Sequence, residues 1–252
     1  MSRMLEQDTA AAVALEELDA IIGIVQGLDD SGWVRQTVCE GWDVAALARH
    51  VAAVAWQQSE SFHRARLNVT AAPSFLEIAP DRDAIVDGIA AARGHLAAAF
   101  GMLGADARRI VPLPFGPLPV VFAVNLVVLE YGLHRHDIER ALGLSDDTAL
   151  RREVAAAIFG FVVGGMLQVF ATKRAEAPVA YRLVGESGST AIEWHGDRWQ
   201  PGDAHADVVC EITGSDSAIA LFATGRIDAS DAALVCSEPT LAGSFKQYFP
   251  GP

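Results

Sequence analysis

Apolar residues recur at helical spacing in four segments of the N-terminal half of the chain. In the first segment, Leu15, Leu18 and Ile22 fall on one face of a helix. Asp43 directly precedes the second segment and is a favourable N-cap residue. The pattern predicts helices over residues 5–28, 44–66, 82–103 and 120–142. Four amphipathic helices joined by loops predict a four-helix bundle.

Two further stretches flank the fourth predicted helix. Residues 111–119, VPLPFGPLP, contain four prolines and one glycine, so we expect a loop there rather than a helix. After the helix, Ser145–Thr148 (SDDT) can cap another helix over residues 149–173. The core of that predicted helix, Val154–Ala171, is almost wholly apolar.

The pattern changes after Pro178. The segments VAYRLVG, TAIEWHG and DVVCEITG are short and β-rich, and glycine, serine, aspartate and proline separate them. Residues 215–224 return to a helical pattern, and a short helix precedes the C-terminus. Strands followed by helices indicate an α+β arrangement. We therefore predict two domains in the 252 residues: a helical bundle over residues 1–148 and a small α+β domain over residues 149–252.

The fourth helix carries a group of polar residues on one side. Glu130 and His134 are one turn apart, and Asp137 follows three residues later on the same side. His136 points elsewhere on the helix, among charged residues, and is expected to be solvated. A glutamate and a histidine at this spacing can hold one metal ion, although they also occur as an ordinary surface pair. The apolar start of the helix favours burial, and a buried glutamate usually has a partner or a metal.

A second histidine lies on the apolar face of the second predicted helix. His50 shares that face with Leu47, Val51 and Val54. It is either a core histidine bonded to a neighbour or a ligand facing the helix of Glu130. In the second case His50, Glu130 and His134 form two imidazoles and a carboxylate with an open fourth position. Such a set is typical of a catalytic divalent-metal site.

The net charge bears on the partners of the protein, and the cysteines bear on its location. The net charge of −13 argues against nucleic acid and against an anionic membrane surface as partners. The three cysteines, Cys39, Cys210 and Cys236, form neither a disulfide framework nor a CxxC metal site. A reducing cytoplasm is the expected location. The apolar run 154–171 contains three glycines and a glutamine, so a buried helix is predicted there rather than a membrane span.

Three motifs together resemble a known family. TVCEGWDVAALARHVA, residues 37–52, is similar to the start of the second helix in mycothiol-dependent maleylpyruvate isomerase-like proteins, which belong to the DinB-like bundle superfamily. LEYGLHRHDIERALG, residues 129–143, resembles their E-x-x-x-H-x-x-D motif. VVCEITGSDSAIALFATGRID resembles the sterol-carrier-like domain that follows the bundle. The resemblance covers nearly the whole chain in the same order.

The resemblance implies particular roles for five residues. The family's metal ligands fall on His50, Glu130 and His134. Asp137 matches the acid that follows them, which either orients a ligand or caps and pairs along the helix. Arg226, in TGR, matches the arginine that the second domain of the family directs towards the metal cleft. Without the resemblance, Arg226 would be read as a surface residue after a helix.

The resemblance also implies a chemistry. The family uses a divalent metal, usually zinc, and the small thiol mycothiol as cosubstrate. The thiolate adds to an electrophile that carries a carboxylate, such as maleylpyruvate, and the arginine holds that carboxylate. The expectation is a mycothiol-dependent isomerase or thiol transferase with a small-molecule substrate. Two alternatives remain: a metal-dependent hydrolase that uses metal-bound water, and a non-enzymatic metal- or ligand-binding protein.

Overall fold

The structure is a computed structural model that describes residues 4–104, 106, 108–144, 149–171, 175, 178–203, 206 and 208–250. The chain divides into two compact units. One is Leu5–Asp147, and the other comprises Thr148–Pro252 together with Met1–Met4. The predicted domain boundary between residues 148 and 149 stays a prediction. Within the described residues, no helix is both long enough and apolar enough to cross a membrane.

The N-terminal unit is the predicted helical bundle. Its elements are α1 (Gln7–Gln26), α2 (Asp30–Trp33), α3 (Val44–Arg66), α4 (Arg82–Gly101), β1 (Ile110–Leu113), β2 (Gly116–Pro119) and α5 (Val120–Leu142). The four long helices form the bundle, with α3 packed on α4, and α1 packed on α5 and α4. Aliphatic and small residues fill the core, among them Leu18, Leu47, Val51, Ile89 and Val127.

Side-chain caps set where two bundle helices begin. Asp43 accepts a hydrogen bond from the backbone N–H of Ala46, and Asp81 does the same for Ala84. Each aspartate satisfies a donor that the first turn of a helix leaves without a partner. At the other end of α5, Gly143 adopts φ of 69°. Glycine takes this left-handed conformation without the steric cost of a Cβ, so the helix ends there.

The proline-rich stretch differs from the prediction. It was expected to be a loop, but it forms an antiparallel hairpin in which Val111 lies opposite Leu118 and Pro112 opposite Pro117. Proline lacks an N–H but is compatible with the extended backbone of an edge strand. A two-stranded hairpin therefore tolerates prolines that a central strand would not. The buried Val111 and Leu113 attach it to α3 and α5.

The C-terminal unit is a small α+β domain, as predicted. Its elements are α6 (Arg152–Ile158), a π-helix (Phe159–Met166), α7 (Leu167–Phe170), β3 (Ala180–Gly185), β4 (Gly188–Trp194), β5 (Trp199–Pro201), β6 (Val209–Gly214), α8 (Asp216–Ala223), β7 (Leu234–Cys236) and α9 (Pro239–Tyr248). The sheet order is β5-β4-β3-β6-β7. Only the β3–β6 pair is parallel within this sheet. The sterol-carrier likeness of this unit stays a prediction.

The apolar segment after residue 149 is helical, but not as one α-helix. A π-helix over Phe159–Met166 interrupts it, and the predicted cap at Ser145–Thr148 lies outside the described residues.

Helix α8 packs on β3 and β6. It begins at Ser215, whose hydroxyl accepts a hydrogen bond from the N–H of Ala218.

Candidate metal centre

Helices α3 and α5 bring the three predicted ligands together. Because Asp43 fixes the start of α3, His50 falls in its second turn. Glu130 and His134 lie one turn apart in the middle of α5. Glu130 Oε1 lies 2.9 Å from His50 Nε2 and 3.2 Å from His134 Nε2. The ligand atoms of all three side chains lie within 4.8 Å of one another. Eighty residues of sequence separate His50 from Glu130.

The environment of Glu130 favours its charged form. Burial opposes ionisation of this carboxyl, but the charges and hydrogen bonds of His134 and His50 outweigh it. The pKa of Glu130 is therefore held well below its usual range. An ionised carboxylate together with two imidazoles is a donor set that suits a divalent cation such as zinc.

His134 responds to the same neighbours in the opposite direction. Burial lowers the pKa of this imidazole, but Glu130, Asp137 and Cys39 raise it by more than burial lowers it. The net pKa is therefore well above the ordinary histidine value. Protonated His134 thus balances the negative charge of Glu130. A divalent cation would supply that positive charge in place of the proton.

Asp137 contacts the far side of the His134 ring. Its Oδ2 lies 3.3 Å from His134 Nδ1, and the side chain is fully buried. When Nδ1 shares its proton with this carboxylate, Nε2 faces Glu130 and can bind a metal through its lone pair. Of the two sequence interpretations of Asp137, this geometry favours the orientation of a ligand.

Cys39 was not predicted as part of the site. Its Sγ lies 3.5 Å from Asp137 Oδ2, and with His134 and Asp137 it forms a second group of closely spaced potential ligand atoms. The sequence signal for Cys39 is its place in TVCEGW, close to the start of α3. Ninety-eight residues of sequence separate it from Asp137. The thiol donates to a carboxylate that already contacts His134.

Aromatic packing supports the exposed side of the cluster. The ring centroids of Trp42 and His50 are 4.8 Å apart, and those of His50 and His134 are 5.1 Å apart with nearly perpendicular planes. These contacts restrict rotation of the His50 ring. Trp42 is therefore a direct neighbour of a candidate ligand.

A comparison with known protein families identifies the family of the N-terminal unit. Residues 14–139 match the family described as the mycothiol maleylpyruvate isomerase N-terminal domain. This chain belongs to that family. The matched region contains His50, Glu130, His134 and Asp137. Membership supports the N-terminal resemblance seen in the sequence.

Two crystal structures share the family fold over both units. One is of the mycothiol-dependent maleylpyruvate isomerase, with 15% identity and a TM-score of 0.67. The other is of a histidine-to-alanine mutant of the mycothiol-dependent maleylpyruvate isomerase, with 14% identity and a TM-score of 0.66. Both matches cover 92% of this chain and 93% of the other chain. A search of curated sequences finds no match.

Two other histidines of the family domain lie apart from the candidate ligand set. His136 was expected to be solvated but is buried, with 2% of its surface exposed. The prediction was wrong because α5 is enclosed over most of its circumference, so that side of the helix does not reach water. The ring of His95 packs against Trp56 with ring centroids 4.4 Å apart, as expected of a structural residue.

Arg226 lies in the C-terminal unit, just after α8. Its Nη1 donates a hydrogen bond to the backbone carbonyl of Thr224 at 2.8 Å. Lys246 lies close by, and its Nζ donates to the carbonyl of Ala223 at 3.0 Å. Burial and then the charge of Arg226 lower the pKa of Lys246 to about 8. The catalytic role of Arg226 stays a prediction from the family resemblance.

Proposed function

We propose that this protein is a metal- and mycothiol-dependent isomerase or thiol transferase of the maleylpyruvate isomerase type. The observation that carries the proposal is the convergence of His50, Glu130 and His134 on one point of the bundle. Membership in the mycothiol maleylpyruvate isomerase family supports the choice of thiol.

The residues present fit a divalent cation. Two imidazole nitrogens and one carboxylate oxygen are ligands suited to zinc, and they leave a position open for another ligand. Asp137 gives His134 the carboxylate partner that metal-bound histidines usually have. A cation held by these residues would lower the pKa of a bound thiol, so that mycothiol would be a thiolate at neutral pH.

The proposed reaction begins with addition of the mycothiol sulfur to an electrophilic carbon. When that carbon belongs to a cis double bond, addition leaves a single bond about which the substrate can rotate. The electron pair of the double bond is held on the conjugated acceptor group until the thiolate leaves. The double bond then re-forms as the trans isomer, and the thiolate is recovered with no net transfer of a proton. We propose that Arg226 holds a carboxylate of the substrate through its guanidinium. The family resemblance supports this role of Arg226.

The test is metal analysis followed by thiol titration. The purified protein is analysed for divalent metal, exchanged into cobalt, and titrated with mycothiol while the absorption spectrum is recorded. We expect about one equivalent of metal and a new sulfur-to-cobalt charge-transfer band that saturates with mycothiol. Addition of an oxygen analogue that lacks the thiol is the control and should produce no band.

Two results would contradict the proposal. A bound cation whose spectrum does not change with mycothiol would favour the metal-dependent hydrolase. A protein that binds no divalent metal would favour a non-enzymatic binding protein, with His50, Glu130 and His134 as a proton-sharing polar cluster.

A further inference from the structure

A cleft of about 450 Å³ opens beside His50 within the N-terminal unit. Its size lies in the range of small-molecule sites in proteins. One wall is α3, through Ala46, Arg49, His50 and Ala53, and the other is the segment Phe75–Ile78, with Trp42 also in the lining. A ligand in the cleft would therefore lie next to one of the candidate metal ligands. The residues of the second wall have no role in the proposed metal and thiol chemistry.

The second wall has no regular secondary structure, but contacts to α3 and α4 hold the chain at both of its ends. Arg64 Nη1 donates to the carbonyls of Ala71 at 3.1 Å and Ala72 at 3.0 Å, and Gln57 Nε2 lies 3.4 Å from the carbonyl of Pro73. At the other end, Ile78 packs over Gly88 of α4, where a Cβ added to the glycine would lie in ordinary van der Waals contact with it, at 3.7 Å. Side-chain bonds and packing thus hold a segment that has no regular structure.

Between these attachments the wall exposes two large apolar side chains. Phe75 is 56% exposed and Leu76 is 45% exposed. Both line the cleft together with Ile78. Exposed apolar side chains that form one contiguous wall mark a surface that a ligand covers. The wall therefore fits a ligand with an apolar body.

The cleft also contains one cation and one anion. Arg49 is exposed, and in the part of the chain that the structure describes it forms no ion pair or hydrogen bond through its guanidinium; the same holds for the carboxylate of Glu77. Among the neighbouring charged groups, His50 bonds to Glu130, and Asp43 caps α3. The Arg49 guanidinium is thus available for a carboxylate.

We propose that this cleft binds the electrophilic substrate, and that the part of the substrate inside the cleft is an apolar body with one carboxylate. Arg49 pairs with this carboxylate, which is not the one assigned to Arg226, and Phe75, Leu76 and Ile78 contact the body. Glu77 repels a second carboxylate, so short dicarboxylic acids bind poorly. The proposal rests on the proposed function, because the reacting carbon would have to lie on the His50 side of the cleft.

The test measures binding of unreactive probes to the full-length protein by calorimetry, without thiol. The probes are 4-phenylbutanoate, its uncharged amide 4-phenylbutanamide, and succinate. We use both zinc-loaded and metal-free protein, so that a carboxylate bound to metal is distinguished from one bound to Arg49. We expect 4-phenylbutanoate to bind both forms, and Arg49→Gln to weaken it about tenfold without changing binding of the amide.

Matched variants complete the test. Arg66→Gln removes an exposed arginine at the end of the same helix, outside the cleft, and should leave all three affinities unchanged. Phe75→Ala should weaken 4-phenylbutanoate and its amide alike, by about fivefold. Glu77→Gln should tighten succinate severalfold. Because all these side chains are exposed, the variants should fold normally.

Three outcomes would overturn the proposal: amide and acid binding with equal affinity, Arg49→Gln binding the acid as the wild type does, or Arg66→Gln weakening the acid as much as Arg49→Gln. The proposed function is tested separately, since the probes carry no reactive carbon and no thiol is present. A sulfur-to-cobalt band combined with any of these outcomes would reject only the substrate assignment. Probe binding as expected without such a band would reject only the thiol chemistry.

Discussion

The two units bury very different material. The N-terminal unit has a core of aliphatic and small residues, and it gathers polar side chains at one place: His50, Glu130, His134, Asp137 and Cys39. The C-terminal unit buries aliphatic residues too, but it adds a cluster of packed aromatic rings, in which the centroid of Phe249 lies 4.8 Å from those of both Trp199 and Phe245.

This difference predicts that metal binding depends on the polar cluster of the N-terminal unit, whereas ring packing stabilises the C-terminal unit. Burying a polar cluster in the bundle costs desolvation energy. Only bonds between its groups, or bonds from them to a ligand, offset this cost. An aromatic core contributes through buried area and ring packing and needs no ligand. One pocket of the C-terminal unit, lined by residues such as Val163 and Ile192, has a volume of only about 10 Å³, roughly one water molecule. The comparison predicts that mutations in the two units affect different measurements.

The largest effect is expected from Glu130→Gln. Structural zinc sites contribute about 10–16 kcal/mol through four ligands, so that loss of one ligand should weaken metal binding by about a hundred- to a thousandfold. Metal content after dialysis measures this loss. His63→Ala, on α3 but outside the cluster, is the control and should retain metal. Full occupancy in Glu130→Gln would show that Glu130 is not a ligand.

Phe249→Ala tests the other unit. Phe249 is fully buried against Trp199 and Phe245, so truncation should lower the free energy of unfolding by about 3–5 kcal/mol. Denaturant unfolding followed by tryptophan fluorescence measures the loss, and metal content should not change. Phe115→Ala removes a ring that is 65% exposed and should have almost no effect. Loss of metal in folded Phe249→Ala would contradict the separation.

Asp137→Asn should act on metal affinity without removing a ligand. Loss of the carboxylate that contacts His134 Nδ1 should weaken metal binding by about ten- to a hundredfold. Competition with a chromophoric chelator measures the affinity. Glu139→Gln changes a nearby carboxylate on the same helix that pairs with Arg135 at 2.8 Å, and should leave metal affinity unchanged. Wild-type affinity in Asp137→Asn would mean that this acid serves only helix packing.

The smallest effect is a pH dependence of stability in the C-terminal unit. Burial and the charge of Arg226 lower the pKa of Lys246 to about 8, so the unfolded state holds a proton that the native state lacks between about pH 8 and 10.5. Stability therefore rises with pH in this window, relative to Lys246→Met, and the two proteins differ most below it. Because Lys246 is only partly buried, we expect about 1 kcal/mol in total. Urea unfolding of both proteins at several pH values measures the difference, and parallel pH profiles would contradict it.

Local chemistry made much of the bundle predictable. The bounds of α3 and α5 agree with the sequence prediction at both ends, because Asp43 caps one helix and Gly143 terminates the other. Helical spacing also brought Glu130, His134 and Asp137 to one side before any fold was known. These features depend on residues within one or two turns of each other.

The remaining features depend on tertiary contacts. The strands around Pro112 and Pro117 form because Val111 and Leu113 are buried against the bundle, which composition alone does not indicate. His136 is buried because neighbouring elements cover its side of α5. The contact of Cys39 with Asp137 spans 98 residues, and no local pattern encodes it.

The attachment of the segment Phe75–Ile78 has an evolutionary consequence. The candidate ligands stand on α3 and α5, where a substitution would disturb helix packing. The cleft wall, in contrast, is held by bonds to the backbone carbonyls of Ala71, Ala72 and Pro73 and by one packed side chain. Backbone carbonyls are present whatever the side chain, so residues 74–77 can be exchanged while the wall stays in place. A lineage could thus change its substrate by a few substitutions in this wall and keep its reaction chemistry intact.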